Sequence, residues 1–448
     1  MWVWTGRTLT LVGVAATIGA GLAMRSWWVL LPGAAALAAW LLIDLSRREE
    51  AGQALQPGMP VGARAPASRR QPPTDPAAPA RWQIPPHVDA VQAVAIHPSG
   101  RVVAVGGGNT VVLWQAADPA HPTRIGVLAW GKSVTVVSVA FAVDGRLLAA
   151  GCDDRSVSVF DVTRLAAPGR VGVLPAPVGD RQVPACAVAF APDGRHLAVA
   201  DRAAVVWDVT APAWPRPVVT LPLARRWRRG VRCATTFTAD GRLLALASRT
   251  TVVLWDMADP IHPTRLGCLR PYGFSLGINA VSVHAVAFSA DGAILATASS
   301  QHIESYDGFS MTVSDTSAVD LWDVADPTRP RRLARLDQRG AASLRSSRHR
   351  RYPTFTGHAD AAQAVAFSPA GRALLTAGAD GAAILWDLTT PTRPSVTDLF
   401  PHDSPVDAVA FSPDGQLMAT GCRDRGTTLW YTRQHQQETT DTVQPVDG

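Results

Sequence analysis

The chain has 448 residues, 47% of them hydrophobic and 17% charged, which excludes a disordered polymer and leaves room for one large architecture or two to three average domains. The net charge of +6 is carried almost wholly by Arg, Lys132 being the only Lys, a skew that fits a coding bias better than nucleic-acid recognition. The five cysteines (Cys152, Cys186, Cys233, Cys268, Cys422) are odd in number with no C-x-x-C pair, so neither a disulfide framework nor a zinc site follows from them.

In chain order, the first elements are two apolar runs. Thr8 to Met24 and Trp27 to Ile43 are uncharged, 17 residues each, and separated only by Arg25-Ser26. That length is the lower limit for crossing a hydrocarbon core of roughly 30 Å. Trp2, Trp4, Trp27, Trp28 and Trp40 stand towards the ends, where interfacial aromatics belong. Gly13, Thr17 and Gly21 form a small-residue face suited to close helix packing. Residues 1–48 are therefore expected to be a two-helix transmembrane hairpin (8–24 and 27–43). A cleaved signal peptide and a re-entrant unit are the competing readings; the first lacks an A-x-A-like site and is followed at once by a second apolar run. Arg7 precedes the hairpin and Arg47, Arg48, Arg64, Arg69 and Arg70 follow it, against Arg25 alone in the turn. That asymmetry puts both ends in the cytoplasm, at the cell membrane.

Residues 49–79 are rich in Pro, Ala, Gln and Arg and cannot bury enough apolar surface to fold; their prolines predict a semi-stiff spacer. From residue 80 to 434 the chain repeats itself, and residues 435–448 form a polar tail. The repeated phrase is A-V-A-F-S-P-D-G-R-x-L-A, followed by a second β run ending in W-D. Its turn glycines are Gly100, Gly145, Gly194, Gly241, Gly292, Gly371 and Gly415, spaced 45, 49, 47, 51, 79 and 44 residues apart. Each unit closes on an aromatic: Trp114, Phe160, Trp207, Trp255, Trp322, Trp386 and Trp430. Alternation around a D-G turn predicts two strands, the x-V-x-L-W run a third, and a run such as Arg124-Ile-Gly-Val-Leu an outer fourth. Four strands at this period make one propeller blade. The seventh unit lacks its outer strand, which Arg81-Trp82-Gln83-Ile84 is placed to supply.

These residues carry a family resemblance. The phrase resembles the WD-repeat (WD40) family over roughly residues 81 to 434, the linking D-P-x-x-P-T-R phrase resembles many high-GC bacterial members, and the chain as a whole resembles membrane-anchored actinobacterial ones. The fold class expected is all-β, a seven-bladed WD40-type β-propeller preceded by the transmembrane hairpin. The resemblance implies a hydrogen-bonded His, Ser/Thr, Asp and Trp set in each blade. It maps onto His358, Thr376, Asp380 and Trp386, and onto His402, Thr420, Asp424 and Trp430. Blade 2 departs from it with Phe160 and no matching His; blades 1, 3 and 4 have shortened inner turns. It also implies partner contacts just before each first strand, at Asp89, Gln92, Asp360, Gln363, Ser404 and Asp407.

Several motifs read otherwise once the repeat register is known. Gly126 to Ser133 matches the P-loop pattern but leads into a β run, where a helix is required. Gly273-Phe-Ser275-Leu-Gly277 matches a hydrolase elbow but sits between blades. Residues 301–318 lengthen the inner hairpin of blade 5 and read as an exposed polar loop; Glu304, Asp307 and Asp315 lack EF-hand spacing. Two Arg-rich stretches, with Arg225, Arg226, Arg228 and Arg229 in one and Arg345, Arg348, Arg350 and Arg351 in the other, read as solvated loops or an anion-facing surface. They lack interleaved aromatics apart from Trp227 and Tyr352, which argues against nucleic acid. No catalytic, cofactor or metal site is expected. The leading functional expectation is a non-enzymatic, membrane-tethered scaffold for protein partners. The alternative is a sensor–effector of a bacterial signalling or defence system, in which the propeller senses and the hairpin responds.

Overall fold

The computed structural model describes residues 81–431, apart from 86–89, 119, 132–133, 175–186, 202, 223–232, 249, 273–279, 307–310, 338–357, 359 and 425. The expected hairpin, linker and tail, Asp89, Ser275 and both Arg clusters lie outside the described residues. Within them, the repeat phrase explains its own turns. The seven turn glycines take φ between +66° and +73°, a region that favours glycine. The aspartate before five of them (Asp144, Asp193, Asp240, Asp291, Asp414) accepts a hydrogen bond from the amide two residues on, at 2.8–3.0 Å. Asp and Gly thus close the first hairpin of a blade by local chemistry alone.

The described strands form seven four-stranded antiparallel sheets. Blade 1 comprises Val91–Ile96, Val102–Gly107, Thr110–Gln115 and Thr123–Ala129. Blades 2 to 6 repeat that order, and blade 7 contains Val406–Phe411, Leu417–Cys422 and Gly426–Tyr431. Arg81–Gln83 supplies the outer strand of blade 7: Arg81 pairs with Trp430, Trp82 with Leu429 and Gln83 with Thr428. Ile84 continues the ladder, its N–H donating to the Thr427 carbonyl at 2.9 Å. The start of the propeller therefore covers the edge that its last three strands would leave open.

The apolar core lies in the seams between blades. Seven clusters of buried residues join the seven neighbouring pairs, including the closing seam where Ile84, Leu417 and Leu429 pack with Val91, Val103 and Val105. In six blades the middle of the second strand is a fully buried alanine, such as Ala104, Ala149 or Ala419, beside a large residue on the third strand. Small against large is what lets neighbouring sheets interdigitate. Each fully buried Leu or Phe contributes about 1.5–3 kcal/mol. A ladder hydrogen bond nets about 1 kcal/mol, so the seams dominate cohesion.

Residues 301–318 differ from expectation. The polar stretch is not a loop: the second and third strands of blade 5 run on as Ile294–Tyr306 and Met311–Asp323, in register from Ile294↔Asp323 to Tyr306↔Met311. The first strand lengthens with them, Ala280 pairing with His302.

Candidate functional site: the mouth of the central channel

Up-and-down strands sort the connections onto two ends. The D-G turns and the turns after W-D lie at one end, which is also where Arg81 enters and Tyr431 leaves the last strand. The turns between second and third strands, and the links from each outer strand to the next blade, lie at the other. The first end is regular from blade to blade; the second varies in length, and the long blade 5 hairpin projects there.

At the variable end a β-bulge recurs in the first strand of five blades. The register skips Gln92, Val137, His284, Gln363 and Asp407. A bulge leaves one residue unpaired and re-aims its side chain. These five residues and Cys233 line a cavity of about 200 Å³ at the centre of the ring. The site is polar but nearly uncharged. His284 Nε2 lies 2.7 Å from Ser300 Oγ. Burial first, and the Asp201 carboxylate second, push the Cys233 thiol up to about 12, which keeps it neutral. Asp407 is wholly buried and held by Arg423, with Nε to Oδ2 at 2.9 Å and Nη2 to Oδ1 at 3.0 Å.

The expected partner-contact residues therefore divide. Gln92 and Gln363 face the cavity. Asp407 also lines it, but its carboxylate is engaged by the half-exposed Arg423. Asp360 is exposed and accepts from the Ala361 amide. Ser404 is buried, its Oγ accepting from the Asp424 amide at 3.4 Å, so it holds the turn. Missed in the sequence were His284, Cys233 and Arg423. A signal existed for two of them: every bulge residue stands four positions before the residue ending its strand, as Gln363 does before Phe367 and His284 before Phe288.

Behind the mouth, blade 6 carries an unbroken hydrogen-bonded chain. The Trp386 N–H donates to Thr376 Oγ1 at 3.0 Å, and Thr376 Oγ1 lies 2.9 Å from His358 Nε2. His358 Nδ1 in turn lies 3.1 Å from Asp380 Oδ1. An imidazole with its proton on Nδ1 satisfies every step. Blade 7 keeps only half of this. The Trp430 N–H donates to Thr420 Oγ1 at 2.9 Å, but His402 Nδ1 faces Cys422 Sγ at 3.1 Å and its Nε2 has no partner among the described residues. The expected His402–Asp424 link does not form, and the cause is one residue. Cys422 occupies the position of Gly378, where a Cβ would stand 2.6 Å from His358 Nδ1 and 2.7 Å from Asp380 Oδ1. Only glycine leaves room for the His–Asp contact. Buried beside Trp430, and repelled by Arg81, the His402 imidazole falls to a pKa of about 4.

Other blades substitute. In blade 2 the Trp130 N–H, reaching in from the link before it, donates to Ser158 at 3.2 Å and packs edge-on against Phe160. In blade 4 Leu246 takes the threonine's place, and Trp255 Nε1 has no partner among the described residues. Blades 2 and 3 are tied by an ion pair between buried Arg155 and buried Asp201. Gly126 to Ala129 of the P-loop lookalike belong to the outer strand of blade 1, with Gly126 paired to Leu113, while Lys132 and Ser133 lie outside the described residues. Gly126 has a packing role shared with Gly172 and Gly267. A Cβ at each would meet a carbonyl in the turn after the next blade's third strand: Leu165 O at 2.7 Å, Pro212 O at 1.9 Å and Pro327 O at 2.2 Å.

Comparison with known proteins agrees with this geometry. The sequence profile described as WD domain, G-beta repeat matches residues 81–115, 125–161, 350–387 and 393–431, which fall in blades 1, 2, 6 and 7. No curated protein matches the chain. Blades 3, 4 and 5, outside those stretches, have the same four-stranded order and the same D-G turns. The chain thus carries WD40 repeats in the matched stretches and folds over its described residues as a seven-bladed β-propeller.

Proposed function

We propose that this chain is a membrane-tethered scaffold, holding protein partners at the variable end of a cytoplasmic propeller and catalysing nothing itself. WD40 propellers typically serve as platforms for protein interaction. The observation that carries the reading is the ring of bulge residues around the channel mouth, where Gln92 and Gln363 offer amide groups that suit peptide backbone or polar side chains. The ionisable groups beside them are already matched, Asp407 with Arg423 and His284 with Ser300, which favours recognition over acid–base chemistry. The tether rests on the two apolar runs, and the cytoplasmic side on the Arg asymmetry around them. The test is crosslinked co-purification from detergent followed by mass spectrometry, with the unsubstituted chain against Gln92→Ala/Gln363→Ala. Partners lost with the double variant support the reading; an identical partner set in both sinks the assignment to the channel mouth. ATPase or esterase activity abolished by Lys132→Ala or Ser275→Ala would refute the absence of catalysis.

A further inference from the structure

The regular end of the propeller differs from the variable end in one respect that stability does not explain. Among the described residues, the three most exposed large apolar side chains are Trp214 at 80%, Ile261 at 63% and Val143 at 56%. All three stand on turns of that end, in neighbouring blades: Val143 on the D-G turn of blade 2, Trp214 and Ile261 on the turns after the third strands of blades 3 and 4. Single exposed apolar residues are ordinary. These three share an end with Arg81, where the chain enters from residues 1–80 and their two apolar runs.

We propose that this end is a lipid-contacting surface, with Trp214, Ile261 and Val143 entering the headgroup region of the bilayer that holds the N-terminal runs. The inference rests on the membrane-tether reading and adds an orientation to it. Trp is the side chain best suited to the water–hydrocarbon boundary, with a large apolar ring and one polar N–H. Exposed Arg170, Arg216 and Arg265 open the outer strands beside these turns, where their apolar stems can lie along the interface and their guanidinium groups can meet phosphates. The neighbouring carboxylates Asp144, Asp208, Asp256 and Asp259 turn back on their own loop amides, each 2.9 Å from the amide two residues on, and Asp259 also meets His262. The spacer alone would not impose contact: residues 49–79, at about 3.1 Å each if extended, reach roughly 100 Å. The apolar tips supply what the tether lacks. With this end down, the channel mouth points away from the membrane, open to soluble partners.

The test uses the full chain in vesicles of phosphatidylcholine and phosphatidylglycerol. Trp214→Cys, Ile261→Cys and, at the opposite end, Thr250→Cys are each labelled with a benzophenone maleimide and illuminated, with the unsubstituted chain as blank. Lipid adducts at 214 and 261 with none above blank at 250 are expected. Adducts only to protein at 214 and 261, or equal lipid labelling at all three sites, would overturn the proposal. Alkaline carbonate extraction of the same vesicles reads the tether separately. A chain that resists extraction but gives no lipid adduct at 214 keeps the tether and loses the surface. A chain that washes off yet labels on re-addition to vesicles loses the tether and keeps the surface.

Discussion

Thr376→Val tests how much the blade 6 chain of hydrogen bonds contributes. Valine fills the space of threonine and removes only the hydroxyl. That hydroxyl serves two buried groups, the Trp386 N–H at 3.0 Å and His358 Nε2 at 2.9 Å, and Thr376 is fully buried. Leaving a buried polar group unpaired costs about 1–3 kcal/mol. Two such groups, less about 0.8 kcal/mol for the added apolar carbon, give a net loss of about 1–5 kcal/mol, centred on about 3. In blade 7 the corresponding Thr420 accepts from the Trp430 N–H and donates to the Thr428 carbonyl at 3.3 Å, but serves no imidazole, because His402 has turned to Cys422. Thr420→Val should therefore cost only about 1 kcal/mol, one orphaned group less the same apolar gain. The assay is urea unfolding, with midpoints compared at unchanged slope so that the shift reports stability. Cys422→Gly supplies the decisive arm. It reopens the space that Gly378 gives blade 6, so Thr420→Val in that background should become nearly as costly as Thr376→Val, a coupling read by the double-mutant cycle. Equal midpoint shifts for the two single valine variants, or no change with Cys422→Gly, would refute the argument that one Cβ decides the network.

Three further outcomes follow from the same geometry. The folded-state pKa of His402, about 4 against 6.5, means that the unfolded chain takes the proton first. Stability is then full above about pH 6.5 and falls by about 3 kcal/mol as the pH drops towards 4; unfolding midpoints measured across that window should flatten in His402→Gln, and parallel curves would exclude His402 as the source. Gly172→Ala drives a methyl onto the Pro212 carbonyl and should cost about 1–3 kcal/mol or more. Gly169→Ala, three residues away in open space, is the control, and similar melting temperatures for the two variants would contradict the packing account. Arg155→Met leaves Asp201 buried without its cation and should destabilise by about 3–5 kcal/mol. The urea midpoint is the measure, and a deficit below about 1 kcal/mol would refute the view that Arg155 is what neutralises Asp201.

The propeller was legible in the sequence because its signals are local. Asp240-Gly241 makes its turn within three residues, and Trp255-Asp256 ends a strand by capping the loop that follows it. The closing strand was legible because Arg81-Trp82-Gln83-Ile84 has no other partner in the repeat register. What the sequence hid depends on contacts across strands. Asp407 reads as an available acid until Arg423, sixteen residues later, is found against it. The His402 set reads as complete until Cys422 is seen in the place of a glycine. Residues 301–318 read as a loop by polarity, yet Thr312, Val313 and Thr316 are strand-forming types, and pairing to an already formed hairpin carries the ladder outward through them.

The two ends of the ring divide stability from specificity, and the division follows from where the polar groups are used. At the regular end, Asp161, Asp208 and Asp387 bond the amide and hydroxyl, or the amide, of the residue two places on, and the threonine hydroxyl is the foremost influence holding each carboxyl below its usual range. A carboxylate committed to its own turn has little left to distinguish partners, and replacing it costs structure. At the variable end, the bulge position holds Gln, Val, His, Gln or Asp while the strands around it keep one register. A position that changes freely without moving the backbone can be tuned for recognition at little cost to the fold. Substitution of Gln363 should therefore leave the unfolding midpoint in place while changing what the channel mouth holds, whereas substitution of Asp240 should do the reverse.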